Sequence, residues 1–354
     1  MGCTVVVGGQ FGSEGKGKVT ALLASSLSEP WVVRCGGPNS GHRTKAGDQE
    51  LVLRQVPAGV ANSNSLLLLS AGSIIDEDVL VDESDLLGIP QHRLVVDPNA
   101  ILIEPEDRER EKSALRRIAS TLTGTGSAVM RRIARDGHAR FAADSSRLRA
   151  RLRVESVADL LRDRLDLGGD VVVEGTQGFG LSLLHGQAYP YVTSRDTTAA
   201  GFISEVGLSP RDVSDVVLVV RTFPIRVGGP SGPLTGEISW EEIQRRSGAP
   251  EVIPEYTSVT QRLRRVAEFD MESIRVACRY NRPTLLAVMG LDRRDYADYG
   301  ASSRDGLSLG ALRFISSVES QTGVPVGWVG TGFATTEAID LRLTKDAARA
   351  ATAG

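Results

Sequence analysis

Cysteine is nearly absent: the 354 residues hold three, Cys3, Cys35 and Cys278, far apart and outside any CxxC or Cys/His grouping. That spacing excludes a disulfide framework or a zinc site and fits a reducing compartment. A basic field is missing too. Lysine and arginine number 41 against 44 acidic residues, a formal charge of −3, so polymeric nucleic acid is not an expected partner, while small anions remain open. No apolar run reaches membrane-spanning length. The N-terminal Met1-Gly2-Cys3-Thr4 leads straight into a valine stretch, without the basic region and long apolar segment of a signal peptide. A cytoplasmic protein without a membrane partner is therefore expected. Lysine itself is rare: only Lys16, Lys18, Lys45, Lys112 and Lys345 occur. Two of these five stand two residues apart in one glycine loop, where a compact ammonium suits the position better than a planar guanidinium.

What is present is a core-forming composition, 41% hydrophobic, enough to bury a large interior in a chain this long. Short β-branched runs alternate with longer amphipathic segments, the pattern of βα units around a mostly parallel sheet. Strands are expected near 4–7, 66–70, 170–173, 215–221, 284–288 and 326–329. Helices are expected over 16–25, 108–119, 127–136, 149–166, 271–280 and 307–318. With no repeat or linker, residues 1–354 are read as a single α/β domain with a phosphate loop like that of P-loop NTPases.

The first strand runs into Gly8-Gly9-Gln10-Phe11-Gly12-Ser13-Glu14-Gly15-Lys16-Gly17-Lys18, and a helical pattern follows. Strand, glycine loop and helix make a phosphate cradle: backbone N–H groups turn inward, the helix N-terminus adds positive potential, and lysine neutralises oxygens. The spacing Gly9-x5-Gly15-Lys16 is one residue longer than a Walker A loop and lacks its Ser/Thr after the lysine. A second polar loop, Arg34-Cys35-Gly36-Gly37-Pro38-Asn39-Ser40-Gly41-His42, places a histidine after a glycine-rich turn. There an exposed loop tip would give it a pKa suited to proton donation near neutrality.

Together the two loops resemble adenylosuccinate synthetases, whose corresponding segments read close to GxQ(W/F)GDEGKGK and RxxGGxNAGH. The resemblance continues in order along nearly the whole chain: Leu53–Gly59, Ser120-Thr121 with Gly124-Thr125-Gly126, Val173–Gly178, Tyr189–Ser194, Arg226-Val227-Gly228 and Glu255–Arg265 each match a family motif. It implies that family's fold and a ligase chemistry. A nucleoside triphosphate phosphorylates the 6-oxygen of a purine monophosphate, and the aspartate amine then displaces phosphate, reactions that demand positioning and charge neutralisation.

By the same resemblance, Ser13, Lys16, His42 and Gln177 hold the catalytic positions. Asn39, Ser120, Thr121, Arg135, Gln177, Thr193 and Val227 meet the purine monophosphate. Val259, Thr260, Arg262 and Arg264 bind aspartate, where arginine suits bidentate contact with carboxylates. Gly12, Glu14, Gly15, Lys16, Gly17, Lys18, Asp292, Gly330, Thr331 and Gly332 bind the triphosphate, and Ser13 and Gly41 lie at Mg2+. Arg135 aligns with an arginine that reaches into a neighbouring subunit, which implies a homodimer with shared sites; as a plain reading of the residues, it also fits a solvated helix face.

Two departures bear on substrate choice. The family's catalytic aspartate is Ser13 here, and serine is not an ordinary base. A small neutral residue beside purine N1 leaves room for a 2-amino group. This departure resembles the phage-type 2-aminoadenylosuccinate synthetases, which act on dGMP on the way to diaminopurine; for a phage protein the compartment is the host's cytoplasm. Val288-Met289-Gly290-Leu291-Asp292 keeps the aspartate of the family's Lys-Leu-Asp element but not its lysine, making ATP or dATP the expected donor, with GTP a further option. The competing readings are an ordinary synthetase acting on IMP and a noncatalytic nucleotide-binding protein. An arginine clamp for a dicarboxylate argues against the latter.

Overall fold

The computed structural model describes residues 2–46, 49–114, 116–257 and 261–342. Ten strands form one sheet, in the order Ala338–Asp340, Val326–Gly330, Leu285–Met289, Val213–Arg221, Cys3–Gly8, Val171–Gly178, Trp31–Arg34, Leu66–Leu69, Leu94–Val96 and Arg153–Val154. Every pairing is parallel except that of Ala338–Asp340 with Val326–Gly330. The fold is thus the expected helix-flanked α/β sheet.

Period-two alternation explains how helices cover both faces. Val5, Val7, Val173, Leu218 and Val220 pack with Phe202 and Ile274 on one side. Val6, Val172, Val217 and Val219 pack with Val19 of the Lys16–Ser25 helix on the other. Because both faces are buried, the central strands carry apolar runs such as Val5–Val7, Val171–Val173 and Val216–Val220. All eight residues of Val171–Gly178 are buried, among them polar residues that the site uses.

Helix starts follow their caps. Asp270 accepts from the amides of Glu272 and Ser273 at the head of Met271–Asn281, and Ser308 accepts from Ala311 at the head of Leu309–Thr322. The helix expected over 149–166 is broken. A short helix, Ser146–Arg151, is followed by the strand Arg153–Val154 and then by Val157–Asp166. Pairing of Arg153 and Val154 with Val95 and Val96 at the sheet edge overrides the helical periodicity. The segment expected as helix 108–119 is helical over Pro105–Ala114, with a 3-10 turn at Arg116–Ile118.

Parallel strands deliver their C-terminal ends to one rim. Gly8, Arg34, Gly178, Arg221, Met289 and Gly330 all end there, the edge at which open α/β sheets place ligands. Beside it lie the hairpin His42–Ala46/Gln49–Leu53 and a small antiparallel sheet of Ile225–Arg226, Arg265–Ala267 and Glu237–Ile238. Among the described residues, no helix is long and apolar enough to cross a membrane.

Candidate active site

The phosphate loop is organised from within. Glu14 folds its side chain under the loop, where one carboxylate oxygen accepts from the amides of Gln10 (3.1 Å) and Gly12 (2.8 Å) and the other from Lys16 Nζ at 2.6 Å. A Cβ at Gly178 would stand 2.2 Å from that carboxylate, so only glycine fits there. Glu14, expected among the triphosphate ligands, is a buried internal brace. Its negative charge already serves the loop's own donors, and its side chain would repel a phosphate. Gln10 makes a reciprocal pair with the Arg221 backbone, both bonds 3.0 Å, which ties the loop to the neighbouring strand. Arg221 then donates to the Ser13 carbonyl at 3.1 Å and to both oxygens of Glu255.

Lys18 also departs from expectation. Its ammonium donates to the carbonyls of Gly332 (3.1 Å) and Glu337 (2.6 Å). It therefore fastens the 332–337 segment to the phosphate helix, while Lys16, at the head of that helix, faces the site.

His42 is not at an exposed loop tip. It is buried as the first residue of a strand, with its Nδ1 against Glu174. Gly17 permits this approach, since a Cβ there would lie 2.7 Å from the His42 Cβ. Glu174 is itself fully buried and also receives Arg34 Nη1 (3.3 Å) and the Ala58 amide (2.7 Å). Burial first, and then the Arg34 charge, push the His42 pKa down to about 4, against the pull of Glu174. In the unliganded protein the imidazole is neutral, with Nδ1–H donated to Glu174 and Nε2 the remaining ring nitrogen.

Two cavities meet at this point. The first is lined by Gly12, Asn39, Ser120, Thr121, Gln177, Thr193 and Val227, among others, and so gathers six of the seven residues expected at the purine monophosphate. The second holds Glu14 to Lys18, Asp292 and Gly332. Ser13, Lys16, Gly41, His42, Thr257 and Arg264 line both, so they form the wall between them.

Several details mark the first cavity as built for a polar ligand. Asn39 Oδ1 is buried without a hydrogen-bond partner among the described residues, an acceptor awaiting a donor. Thr176 donates to Gln177 Oε1 at 3.2 Å, which orients that amide. Its sole carboxylate among the described lining residues, Glu111, accepts from the amides of Gly124 (2.8 Å), Gly126 (2.7 Å) and Ser127 (3.3 Å) at the start of Thr125–Ala134.

Some expected residues lie elsewhere. Arg135 is exposed beyond the end of Thr125–Ala134 and lines neither cavity. Arg262 is exposed, because the turn closed by bonds between Thr257 and Arg262 (2.9 Å each) directs Arg264, not Arg262, to the site. Gly330 and Thr331 are internal: the Gly330 carbonyl accepts from the Gly290 amide, and Thr331 bonds Ala301 and Glu337. Val259 and Thr260 fall outside the described residues.

Ser13 is a poor metal ligand. Its hydroxyl accepts from Arg264 Nη1 and its carbonyl from Arg221, so guanidinium groups stand where a cation would have to be. The Gly41 carbonyl remains as a hard oxygen donor on the shared wall, and Mg2+ commonly needs few protein ligands beside water and phosphate. Sequence reading missed Arg34, Glu111, Glu174 as the partner of His42, and Arg221. For the arginines, the available signal was a charged residue directly after an apolar run, Trp31–Val33 and Val216–Val220.

Comparison with known proteins agrees with this geometry. The sequence profile of adenylosuccinate synthetase matches residues 5–154 and 138–299. The chain is 40% identical to the adenylosuccinate synthetase of Methanocaldococcus jannaschii over 347 residues, covering 96% of this chain and 97% of that one. To the Thermococcus onnurineus adenylosuccinate synthetase it is 39% identical, covering 96% and 98%. Among solved structures, it matches the cyanophage S-2L succinoaminodeoxyadenylate synthetase bound to dGMP and dATP as an energy donor, with TM-score 0.81, 30% identity and coverage of 98% and 99%. The fully ligated Plasmodium falciparum adenylosuccinate synthetase, with TM-score 0.83 and 20% identity over 95% of this chain and 99% of that one, shares the fold. A phosphate loop, a buried histidine and a cavity-facing arginine at one sheet rim, together with this matching over nearly the full length, show that the chain belongs to the adenylosuccinate synthetase family and is a carbon–nitrogen ligase.

Proposed function

We propose that this ligase joins L-aspartate to C6 of dGMP, giving the 2-amino-2'-deoxy analogue of adenylosuccinate. The observation that carries the reading is Ser13: a neutral hydroxyl, engaged by Arg264, stands where the family places a carboxylate base. Among the described residues lining the first cavity the one carboxylate, Glu111, is held by three amides. A site without a carboxylate beside N1 suits a purine whose C2 side carries an amino group. The cyanophage neighbour, bound to dGMP, supports the same reading.

The γ-phosphoryl of the triphosphate passes to purine O6, breaking its bond to the β,γ-bridging oxygen so that the nucleoside diphosphate leaves, while N1 gives up its proton to a water beside the Ser13 hydroxyl. The aspartate amine then forms the C6–N bond as inorganic phosphate leaves with O6. Lys16 and the loop amides of Gly15 and Gly17 neutralise the transferring group. The negative charge of the bound triphosphate raises the proton affinity of His42, and Glu174 supports the resulting imidazolium as a donor at the phosphoryl or O6. Gln177 orients the base edge. Thr121 and Thr193 receive the monophosphate, Asn39 meets a donor of the purine nucleotide through its Oδ1, and Arg264 turns from Ser13 to a carboxylate of aspartate. The Gly41 carbonyl would hold Mg2+, which supplies charge neutralisation at the phosphates. ATP or dATP is the donor in this reading, as Gly290 replaces the lysine of the family's base site. The working assembly is a homodimer in which Arg135 of each subunit completes the other's monophosphate site.

The alternative is an ordinary IMP-using enzyme, favoured by the 40% identity to an archaeal adenylosuccinate synthetase. Mass spectrometry of products formed with Mg2+, aspartate, ATP or GTP, and each of IMP, GMP and dGMP separates the two. A succino-product from dGMP supports the proposal; product from IMP alone overturns it.

A further inference from the structure

Gln177 of the first cavity ends a buried chain of polar side chains that begins outside it. Arg195, 8% exposed, donates through Nη1 to Glu205 at 3.0 Å and through Nη2 to the Thr176 hydroxyl at 3.1 Å. Thr176 in turn donates to Gln177 Oε1. Of these four residues only Gln177 lines the cavity. Arg195 and Thr176 stand behind it, and Glu205 anchors the guanidinium from the helix Ala199–Val206.

The arrangement is held against local preference. Gln177 takes a left-handed backbone, φ +58, which disfavours a residue carrying a Cβ. Arg195 Nε is buried without a hydrogen-bond partner among the described residues, so the guanidinium forgoes one donor while its other nitrogens serve Glu205 and Thr176. Gly36, in the loop that carries Asn39, has φ +104, and a Cβ there would stand 2.2 Å from the Thr176 hydroxyl oxygen and 2.9 Å from Arg195 Nη1. Only glycine lets that loop close over the pair. Proton count then fixes the direction of the chain. A guanidinium has donors only, so Arg195 occupies a lone pair of the Thr176 oxygen and leaves the hydroxyl proton for Gln177. The amide atom facing Thr176 is therefore the acceptor, Oε1, and Nε2 is the end left for the cavity.

We propose that Arg195 and Thr176 are positioning residues that lock Gln177 with its amide nitrogen toward the base, so that the site takes a purine with an acceptor at position 6 and rejects one with a 6-amino group. This rests on reading the first cavity as the purine monophosphate site, and it holds whether the substrate is dGMP or IMP. The two kinds of purine are nearly alike in shape; at this edge the oxygen accepts a hydrogen bond where the amino group donates one. An amide free to rotate would serve both, because it can turn either end to the base. A locked amide leaves a 6-amino group donor against donor, the kind of buried mismatch that supports strong discrimination.

The test is direct binding of two pairs of monophosphates to the full-length chain, each pair differing only in the 6-oxo or 6-amino form of the ring: dGMP with its 2,6-diaminopurine counterpart, and IMP with AMP. In whichever pair binds, wild type should favour the 6-oxo member by about tenfold or more. Thr176→Val and Thr176→Ala, two variants so that one folding failure does not end the test, should bring that ratio to within about threefold, with tighter binding of the 6-amino member as the freed amide turns. Thr176→Ser, which keeps the hydroxyl, should retain the wild-type ratio. Equal weakening of both members with the ratio kept would mark Thr176 as a scaffold residue, and wild-type protein that binds both members alike would remove the lock; either result overturns the proposal. Wild-type protein that binds none of the four monophosphates overturns the cavity reading itself, and the lock with it.

Discussion

Ser13 and Arg264, 251 positions apart in sequence, meet on the wall between the two cavities, where the arginine Nη1 donates to the serine hydroxyl. Arg264 also donates to the Tyr256 carbonyl at 3.0 Å, and burial pulls its pKa down to about 10 despite nearby Glu255. A guanidinium so desolvated, whose hydrogen bonds among the described residues go to neutral oxygens, is poised for an incoming carboxylate. Arg264→Ala should raise the KM for aspartate far more than that for the purine nucleotide. Loss of a charge-assisted hydrogen bond costs about 1.5–3 kcal/mol, on the order of ten- to a hundredfold in KM. Initial-rate kinetics with each substrate varied in turn check this; an unchanged aspartate KM removes the role.

His42 should remain neutral well below ordinary histidine pH values. With a folded pKa of about 4 and an unfolded value near 6.5, the unfolded chain binds a proton between these pH values that the folded chain does not. The contribution of this residue to stability is therefore complete above pH 6.5 and is lost as pH falls through 4. On the order of 2 kcal/mol should disappear between pH 7 and 4.5, and His42→Gln should lack this component. Imidazole NMR titration of the unliganded protein reads the pKa itself. A midpoint near 6.5 would contradict the buried Glu174 arrangement.

Arg135 lines neither cavity of its own chain and stands exposed at the end of Thr125–Ala134. If it completes a neighbour's site, Arg135→Ala alone should raise the KM for the monophosphate. Mixing it with an inactive variant altered at Lys16 should restore turnover through hybrid dimers carrying one intact site. Mixtures that never exceed the sum of their parents would contradict the shared site.

The legible parts of this structure are local in sequence. The phosphate loop and its helix were visible because strand, glycines and lysines are contiguous. The buried parallel strands were visible because Val171–Val173 and Val216–Val220 are unbroken apolar runs. What escaped is set by long-range pairing. His42 was read as exposed because the loop before it is glycine-rich, yet its environment comes from Glu174, 132 residues away. The helical pattern over 149–166 gave no sign of the edge pairing of Arg153 and Val154. Arg262 and Arg264 carry the same charge in one motif, and only the turn closed at Thr257 separates exposed from cavity-facing. Lys16 and Lys18 looked equivalent, but carbonyls more than 300 residues distant claim the second.

The central claim is that Ser13 adapts the site to a 2-aminopurine, and the most direct test sets dGMP against IMP in wild type and in Ser13→Asp. A carboxylate at this position would crowd the C2 side and pair with Arg264, withdrawing it from aspartate. A base displaced by near 1 Å can lose about 10²-fold in rate. Measured by product mass and phosphate release under saturating aspartate, wild type is expected to show a much higher kcat/KM for dGMP than for IMP. Ser13→Asp is expected to lose most of the dGMP activity. A wild-type preference for IMP, with dGMP turnover unchanged in Ser13→Asp, would contradict the account and leave an ordinary adenylosuccinate synthetase.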